Sequence, residues 1–369
     1  MMDGYEYKFL GLSDTEIEER LFAYVMDALH EKYGVSPDLQ ILERLQEEWR
    51  AIQEAELIQE VAFLHEFTLW LRKEKYPYLL LDESAGSFIL YLLQITVPNP
   101  LPPHLYCEHC HTVQWMQEFV DGFDLLPSVC ATDGHKKYGD GHDLDWRFAW
   151  KSYESFGINF FILIPYELDN CLEEFLERHW LKPADPIDIN MWSEDADIRG
   201  ILWGRIELCC FWLMKDSSYG ITLDSRCNNQ AWIVWLDRQF SCKENGFTDA
   251  MKIPQPKTFS ELIVAYELVY SPSLKMLDCL WEKENFSTEK LLIYREDVFH
   301  YLIKHGYSED DAMKIIRNCG KDPTMLQKIV KEDRFWLVGE NEWCFMRSKA
   351  LALTDMFDKI RFLRMKVAE

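Results

Sequence analysis

Four prolines in six residues, Pro98, Pro100, Pro102 and Pro103, deny regular structure to residues 98–103, and the chain that leaves them carries two thiol-bearing turns. The first is Cys107-Glu108-His109-Cys110 and the second is Cys130-Ala131-Thr132-Asp133. The spacing is C-x2-C-x19-C-x2-D, close to a four-thiolate zinc ribbon whose last ligand has become an aspartate. A C-x2-C knuckle turns both sulfurs toward one tetrahedral ion. The pattern therefore predicts a structural Zn2+ held by Cys107, Cys110, Cys130 and Asp133. His111, His135 or His142 could supply an imidazole in place of the Asp133 oxygen, and the same spacing also fits a ribbon that has shed its ion. A catalytic zinc is not indicated, because no poised acid or base accompanies the cluster. The prolines are expected to present this segment as an exposed appendage.

Charge limits what such a chain can bind. It carries 39 Lys and Arg against 63 Asp and Glu, a net charge of −24, so its field repels a phosphate backbone and nucleic-acid contact is expected to be weak or absent. With 48% apolar residues, including 14 Trp, 17 Tyr and 22 Phe, it can bury a large core. Eleven cysteines, an odd number, argue for a reducing compartment, and the opening residues lack a basic and then apolar leader. The longest apolar runs fall short of the roughly 20 residues that cross a bilayer, so no membrane association and a cytoplasmic location are expected.

The hydrophobic period places the remaining elements. Ile17, Leu21, Val25 and Leu29 recur at helical spacing behind the cap residues Ser13 and Asp14, and Tyr33-Gly34 ends that helix. Ser36-Pro37-Asp38 starts a second, with Leu42, Leu45, Trp49 and Ile52 on one face and the acids Glu43, Glu47, Glu48 and Glu54 on a solvated one. Residues 76–81 and 158–164 read as buried strands, with short Trp-rich strands at 201–212 and 231–235. Helices return after Thr258, at 298–305, 310–319 and 348–367.

Several motifs carry a resemblance. Asn99-Pro100-Leu101-Pro102-Pro103-His104 with the Cys107 knuckle, Gly122-Phe123-Asp124-Leu125, the Cys130 knuckle and Asp140-Gly141-His142-Asp143 resemble the palm of PolC-type DNA polymerase III alpha subunits. Glu43-Arg44-Leu45-Gln46-Glu47-Glu48 resembles the helix that opens that palm. Lys257-Thr258-Phe259-Ser260-Glu261-Leu262, Arg295-Glu296-Asp297-Val298 and the final helix from Lys349 are similar to later stretches of the family. The resemblance implies an α+β fold: a mixed-sheet nucleotidyltransferase-like palm, a Cys-rich zinc-ribbon-like insertion and a mostly helical fingers-like C-terminal region. The implied divisions are an N-terminal helical extension at 1–35, palm at 36–103, the insertion at 104–145, the rest of the palm with shortened fingers at 146–255, and the helical region at 256–369.

The resemblance also shows what is missing. The family's metal-binding aspartates correspond to Asn159 and Phe161, and neither side chain is anionic. Its cationic phosphate loop corresponds to Leu79, Leu80, Leu81, Asp82 and Glu83, where two carboxylates would oppose a triphosphate. Asp143 and Asp145 are the fallback acids, and Mg2+ is implied only if they or other acids serve an active DNA-directed DNA polymerase. Leu351 stands where the family has histidine, while Lys349, Arg361, Arg364 and Lys366 keep a cationic face as candidate nucleic-acid contacts. The expectation is a degenerate homologue without polymerase activity, acting as a binding or regulatory module for an unknown protein partner, with the replication machinery as the candidate.

Overall fold

The computed structural model describes residues 12–74, 78–80, 83–119, 121–150, 160–165, 200–203, 206–211, 259–260, 263, 291–292, 294–319, 335–336, 347 and 351. The chain divides into two compact units, Met1–Gln117 with Leu126–Ile221, and Glu118–Leu125 with Thr222–Glu369.

Unit one opens on three helices, α1 (Asp14–Tyr33), α2 (Leu39–Glu54) and α3 (Ile58–Lys73). Ser13 caps α1 in a reciprocal box with Glu16, and Gly34, at φ 78°, ends it where a side chain would be strained. Its stripe of Ile17, Leu21, Val25, Leu29 and Tyr33 is buried, as the period requires. Asp38 caps α2, but the buried face of that helix is Ile41, Leu45, Glu48, Ala51 and Ile52. Glu48 is thus a core residue and not part of a solvated acidic face.

A short strand β1 (Leu79–Leu80), a 3-10 turn (Glu83–Gly86) and the five-residue helix α4 (Phe88–Leu92) follow. The Glu48 carboxylate sits against the start of α4. It accepts from Ser87 Oγ (2.6 Å), Phe88 N (2.9 Å), Ile89 N (3.4 Å), Trp150 Nε1 (3.2 Å) and Arg44 Nε (2.5 Å). Helix starts leave N–H groups unpaired, and a buried carboxylate supplies the acceptors and the negative charge they favour.

Pro98, Pro100 and Pro103 are buried, and the segment expected to form an exposed appendage is mixed: residues 104–107 are buried, whereas Phe119, Phe123, Leu126, Val129 and Tyr138 are exposed. Prolines remove donors but not acceptors, and the carbonyls of the run are used: His142 N donates to Asn99 O (2.9 Å), Asp143 N to Leu101 O (2.9 Å) and Leu144 N to Pro100 O (3.0 Å). Gly141 makes this approach possible. A Cβ there would lie 2.3 Å from Pro102 O, and its φ of +92° favours glycine independently.

The thiol-bearing segment is an antiparallel sheet of β2 (His104–Tyr106), β3 (Val113–Trp115), β4 (Ser128–Val129) and β5 (Lys136–Asp140), in the order β3-β2-β5-β4. Helix α5 (Trp146–Trp150) leads out of it. A second, mixed sheet has the order β1-β6-β8-β7, formed with β6 (Phe160–Pro165), β7 (Gly200–Trp203) and β8 (Ile206–Phe211). In it β6 runs antiparallel to β1 and parallel to β8.

Unit two contains β9 (Leu291–Leu292), α6 (Arg295–Lys304), α7 (Glu309–Cys319) and β10 (Phe335–Trp336), with β9 and β10 paired in parallel. Residues 118–125 join this unit. There Asp124 accepts from Phe259 N (2.6 Å), Ser260 N (3.3 Å) and the Ser260 hydroxyl, and Phe123 meets Phe259 edge-on at 4.9 Å. Two motifs 135 residues apart in sequence thereby form one capped helix start. Arg347 pairs with buried Asp121 at 3.2 Å, and its backbone N–H donates to Glu296, whose carboxyl burial pushes up to about 7. The described residues thus form an α+β protein of helices and three sheets, one antiparallel, one mixed and one a parallel pair. No helix among them is long and apolar enough to cross a membrane.

Candidate metal centre

The two thiol-bearing turns are built alike. In the first, Cys107 N donates to Thr112 O (3.1 Å), His111 N donates to Cys107 O (2.9 Å), and His111 takes a left-handed φ of 58°. In the second, Cys130 N donates to His135 O (2.7 Å), Gly134 N donates to Cys130 O (2.9 Å), and Gly134 has φ 75°. The two loops superpose residue for residue in hydrogen-bond pattern. Asp133 therefore holds the place in its loop that Cys110 holds in the first, a correspondence that spacing alone left open.

Cys107, Cys110, Cys130 and Asp133 bring their ligand atoms within 4.8 Å of one another. Cys110 Sγ and Cys130 Sγ are 3.4 Å apart, and Cys107 Sγ lies 3.5 Å from Asp133 Oδ2. A tetrahedral ion with bonds of about 2.3 Å to sulfur and about 2.0 Å to oxygen needs edges of roughly 3.5–3.8 Å. The set fits a metal ion of that type, closed on all four sides.

The alternatives for the fourth ligand are engaged elsewhere or outside this group. His111 Nδ1 contacts Lys32 O at 2.7 Å and Tyr106 OH at 3.2 Å. His142 is buried next to the proline run and belongs to no metal-holding group among the described residues. His135 faces Asp133 from outside: its Nδ1 is 3.4 Å from Oδ1, and its N–H donates to Oδ1 at 3.0 Å.

The local field suits a cation. The His135 backbone N–H is the largest influence holding the Asp133 carboxyl far below the usual carboxylate range. The Thr112 hydroxyl, 3.5 Å away, draws the Cys130 thiol down to about 6. At Cys107 the Cys110 backbone N–H favours thiolate, but burial and the neighbouring Asp133 outweigh it and push the thiol up. A bound divalent ion would reverse that last balance, because only the thiolate ligates.

The knuckles are anchored to α1. Lys32 O accepts from the Tyr106 hydroxyl, and Lys32 Nζ lies 3.5 Å from Asp140 Oδ2 and 4.5 Å above the Tyr91 ring. Asn99 Nδ2 donates to the same Asp140 oxygen at 2.7 Å. Burial alone would raise the Asp140 carboxyl, but Lys32, His104 and Asn99 hold it below its ordinary value. Sequence reasoning named Asp140 only as part of the Asp140-Gly141-His142-Asp143 motif and did not single out Lys32. A lysine in the last turn of a helix, one residue before the end of a buried stripe, looks like a solvated cap.

The two acids proposed as catalytic fallbacks sit in different surroundings. Asp143 is exposed, with φ 50°, whereas the Asp145 carboxylate accepts Arg147 N at 2.9 Å and is gripped by Arg147 Nη1 at 3.1 and 3.0 Å. Neither belongs to a metal-holding group among the described residues. The backbone of Phe161 lies in β6, paired with Glu207. Asn159 and the cationic candidates Lys349, Arg361, Arg364 and Lys366 lie outside the described residues, and Leu351 is buried.

Fold and site together define an α+β protein carrying a paired-knuckle metal-type site between strands of a small antiparallel sheet. No family model matches the chain. Part of it is similar to proteins named DNA polymerase III PolC-type. It is 34% identical over 138 residues to that of Lacticaseibacillus paracasei, covering 36% of this chain and 9% of the relative. The Lactococcus lactis protein is 30% identical over 150 residues, 39% of this chain and 9% of the relative. A Staphylococcus epidermidis protein is 35% identical over 65 residues, 17% of this chain and 4% of the relative. The chain thus matches less than a tenth of the length of these relatives, and it is related to a fragment of them.

Proposed function

We propose that the chain is a PolC-related palm fragment, of nucleotidyltransferase-like fold, that does not polymerise DNA and serves as a binding or regulatory module. One observation carries this reading: the positions that correspond to the family's metal-binding aspartates are Asn159 and Phe161, and the nearby acid Asp145 is neutralised by Arg147 at hydrogen-bond distance. Nucleotide addition needs carboxylates that hold two divalent ions about 3.5–4 Å apart. An amide and a benzyl group cannot supply them. The acids Asp82 and Glu83, at positions that correspond to the family's phosphate loop, and the net charge of −24 act in the same direction, against a triphosphate and a template. The partner in this reading is a protein, with the replication machinery the first place to look.

The knuckle pair is read as a zinc-ribbon-like insertion in which Cys107, Cys110, Cys130 and Asp133 hold a structural Zn2+. Such an ion would cross-link two loops 20 residues apart, and would supply folding energy and no open coordination position.

Primer extension with Mg2+ or Mn2+, using the full chain and a primed template, tests the functional reading. No incorporation is expected. The second reading, an active polymerase working with other acids, is supported instead by incorporation that disappears in Asp143→Ala.

A further inference from the structure

We propose a second divalent-ion site on the solvent side of the knuckles, formed by His109 Nδ1, His135 Nδ1 and the Asp133 carboxylate. It shares Asp133 with the inner thiolate site, and so rests on the reading that this carboxylate faces metal. The three ligand atoms lie within 4.8 Å of one another. His109 Nδ1 is 3.0 Å from Asp133 Oδ2, and His135 Nδ1 is 3.4 Å from Oδ1. An ion with bonds of about 2.0–2.1 Å to nitrogen and oxygen requires ligand separations of roughly 3.0–3.4 Å, depending on whether the angle is octahedral or tetrahedral.

The rings are arranged for this. The two imidazoles stack with centroids 4.0 Å apart and planes 15° from parallel, which brings the same edge of each ring to one carboxylate. Their side chains are 65% and 54% exposed. Hydrogen bonds to a carboxylate at that exposure contribute little and must offset the entropy of fixing two side chains, so they do not by themselves account for the alignment. A shared cation does. Both histidines are fixed by the inner site: His109 precedes Cys110 within the first knuckle, and His135 closes the second through its carbonyl bond to Cys130 N.

Charge favours the outer ion as well. Three thiolates and one carboxylate around a divalent ion leave two negative charges, so a second cation beside Asp133 is attracted, not repelled. Two imidazoles and one carboxylate suit zinc, and more generally the later first-row divalent ions, with the remaining positions open to water. The inner site is closed, whereas this one is labile and reachable by a ligand.

The test uses the full chain, purified with a non-thiol reductant and stripped of metal. Zn2+ stoichiometry is measured by equilibrium dialysis, and the inner site is followed separately by the thiolate-to-cobalt absorption on Co2+ loading. The wild type should bind two zinc ions, and His109→Ala/His135→Ala one, with the thiolate-to-cobalt absorption and the far-ultraviolet circular dichroism unchanged. A wild type that binds one ion with that absorption present overturns the outer site alone. A double variant that still binds two, or that loses the thiolate absorption, also overturns it. If the thiolate absorption is absent while removal of the histidines costs one ion, the inner reading fails and the outer site stands.

Discussion

Glu48→Gln changes one atom and should be among the most damaging single substitutions in unit one. The carboxylate is fully buried and receives five donors, from Arg44, Ser87, Phe88, Ile89 and Trp150. Glutamine keeps the shape, but it replaces one acceptor oxygen with an NH2 group that points donors at donors. Charge-assisted hydrogen bonds contribute about 1.5–3 kcal/mol each, and removing one partner of a buried ion pair costs about 3–5 kcal/mol. With two or more donors stranded beside an uncompensated Arg44, the loss should be about 4 kcal/mol. Urea unfolding followed by tryptophan emission reads this loss, and Trp150, a donor to Glu48, contributes to the signal. At a slope of about 3 kcal/mol/M the midpoint should fall by roughly 1.3 M with the slope unchanged. A loss below about 1 kcal/mol would mean that water reaches the carboxylate, and the reasoning fails. The paired replacement Arg44→Met/Glu48→Met should cost less than the sum of its single substitutions.

Two further substitutions probe the same core. Gly141→Ala should destabilise by about 3 kcal/mol or more, because its Cβ would meet Pro102 O at 2.3 Å at a φ of +92°, and a melting temperature within error of wild type would refute the close packing of the proline run. His65 is held down to about 4 by burial and by nearby Arg72, against an ordinary value of 6.5. The unfolded chain therefore takes up a proton near pH 6.5 that the folded chain refuses until about pH 4. Stability should fall by about 3 kcal/mol over that window in the wild type relative to His65→Gln, as read from unfolding midpoints at successive pH values, and equal slopes for the two proteins would contradict the burial.

Much of this architecture is written in local signals. Ser13 and Glu16 announce the start of α1, Tyr33-Gly34 its end, and the C-x2-C and C-x2-D turns their own loops. What stayed hidden depends on partners distant in sequence. Glu48 sits among three other acids of α2 and reads as solvated until the N–H groups of α4, 40 residues on, are placed against it. The missing donors of the proline run are visible in sequence, whereas the 142–144 backbone that satisfies the carbonyls of residues 99–101 is not. The choice of Asp133 over three histidines was undecidable from spacing, yet the matched left-handed positions at His111 and Gly134 settle which residues occupy equivalent places in the two loops. The histidine pair escaped notice for a related reason: His109 and His135 are 26 residues apart, and only the closed loops stack them.

The central claim concerns the residue types at positions 159 and 161, and it can be tested by direct observation. Crystals of the full chain soaked with magnesium and a deoxynucleoside triphosphate should show no paired ions at residues 159–161. Two magnesium ions held there, bridged by the triphosphate, would contradict the account and make catalysis the function of this chain.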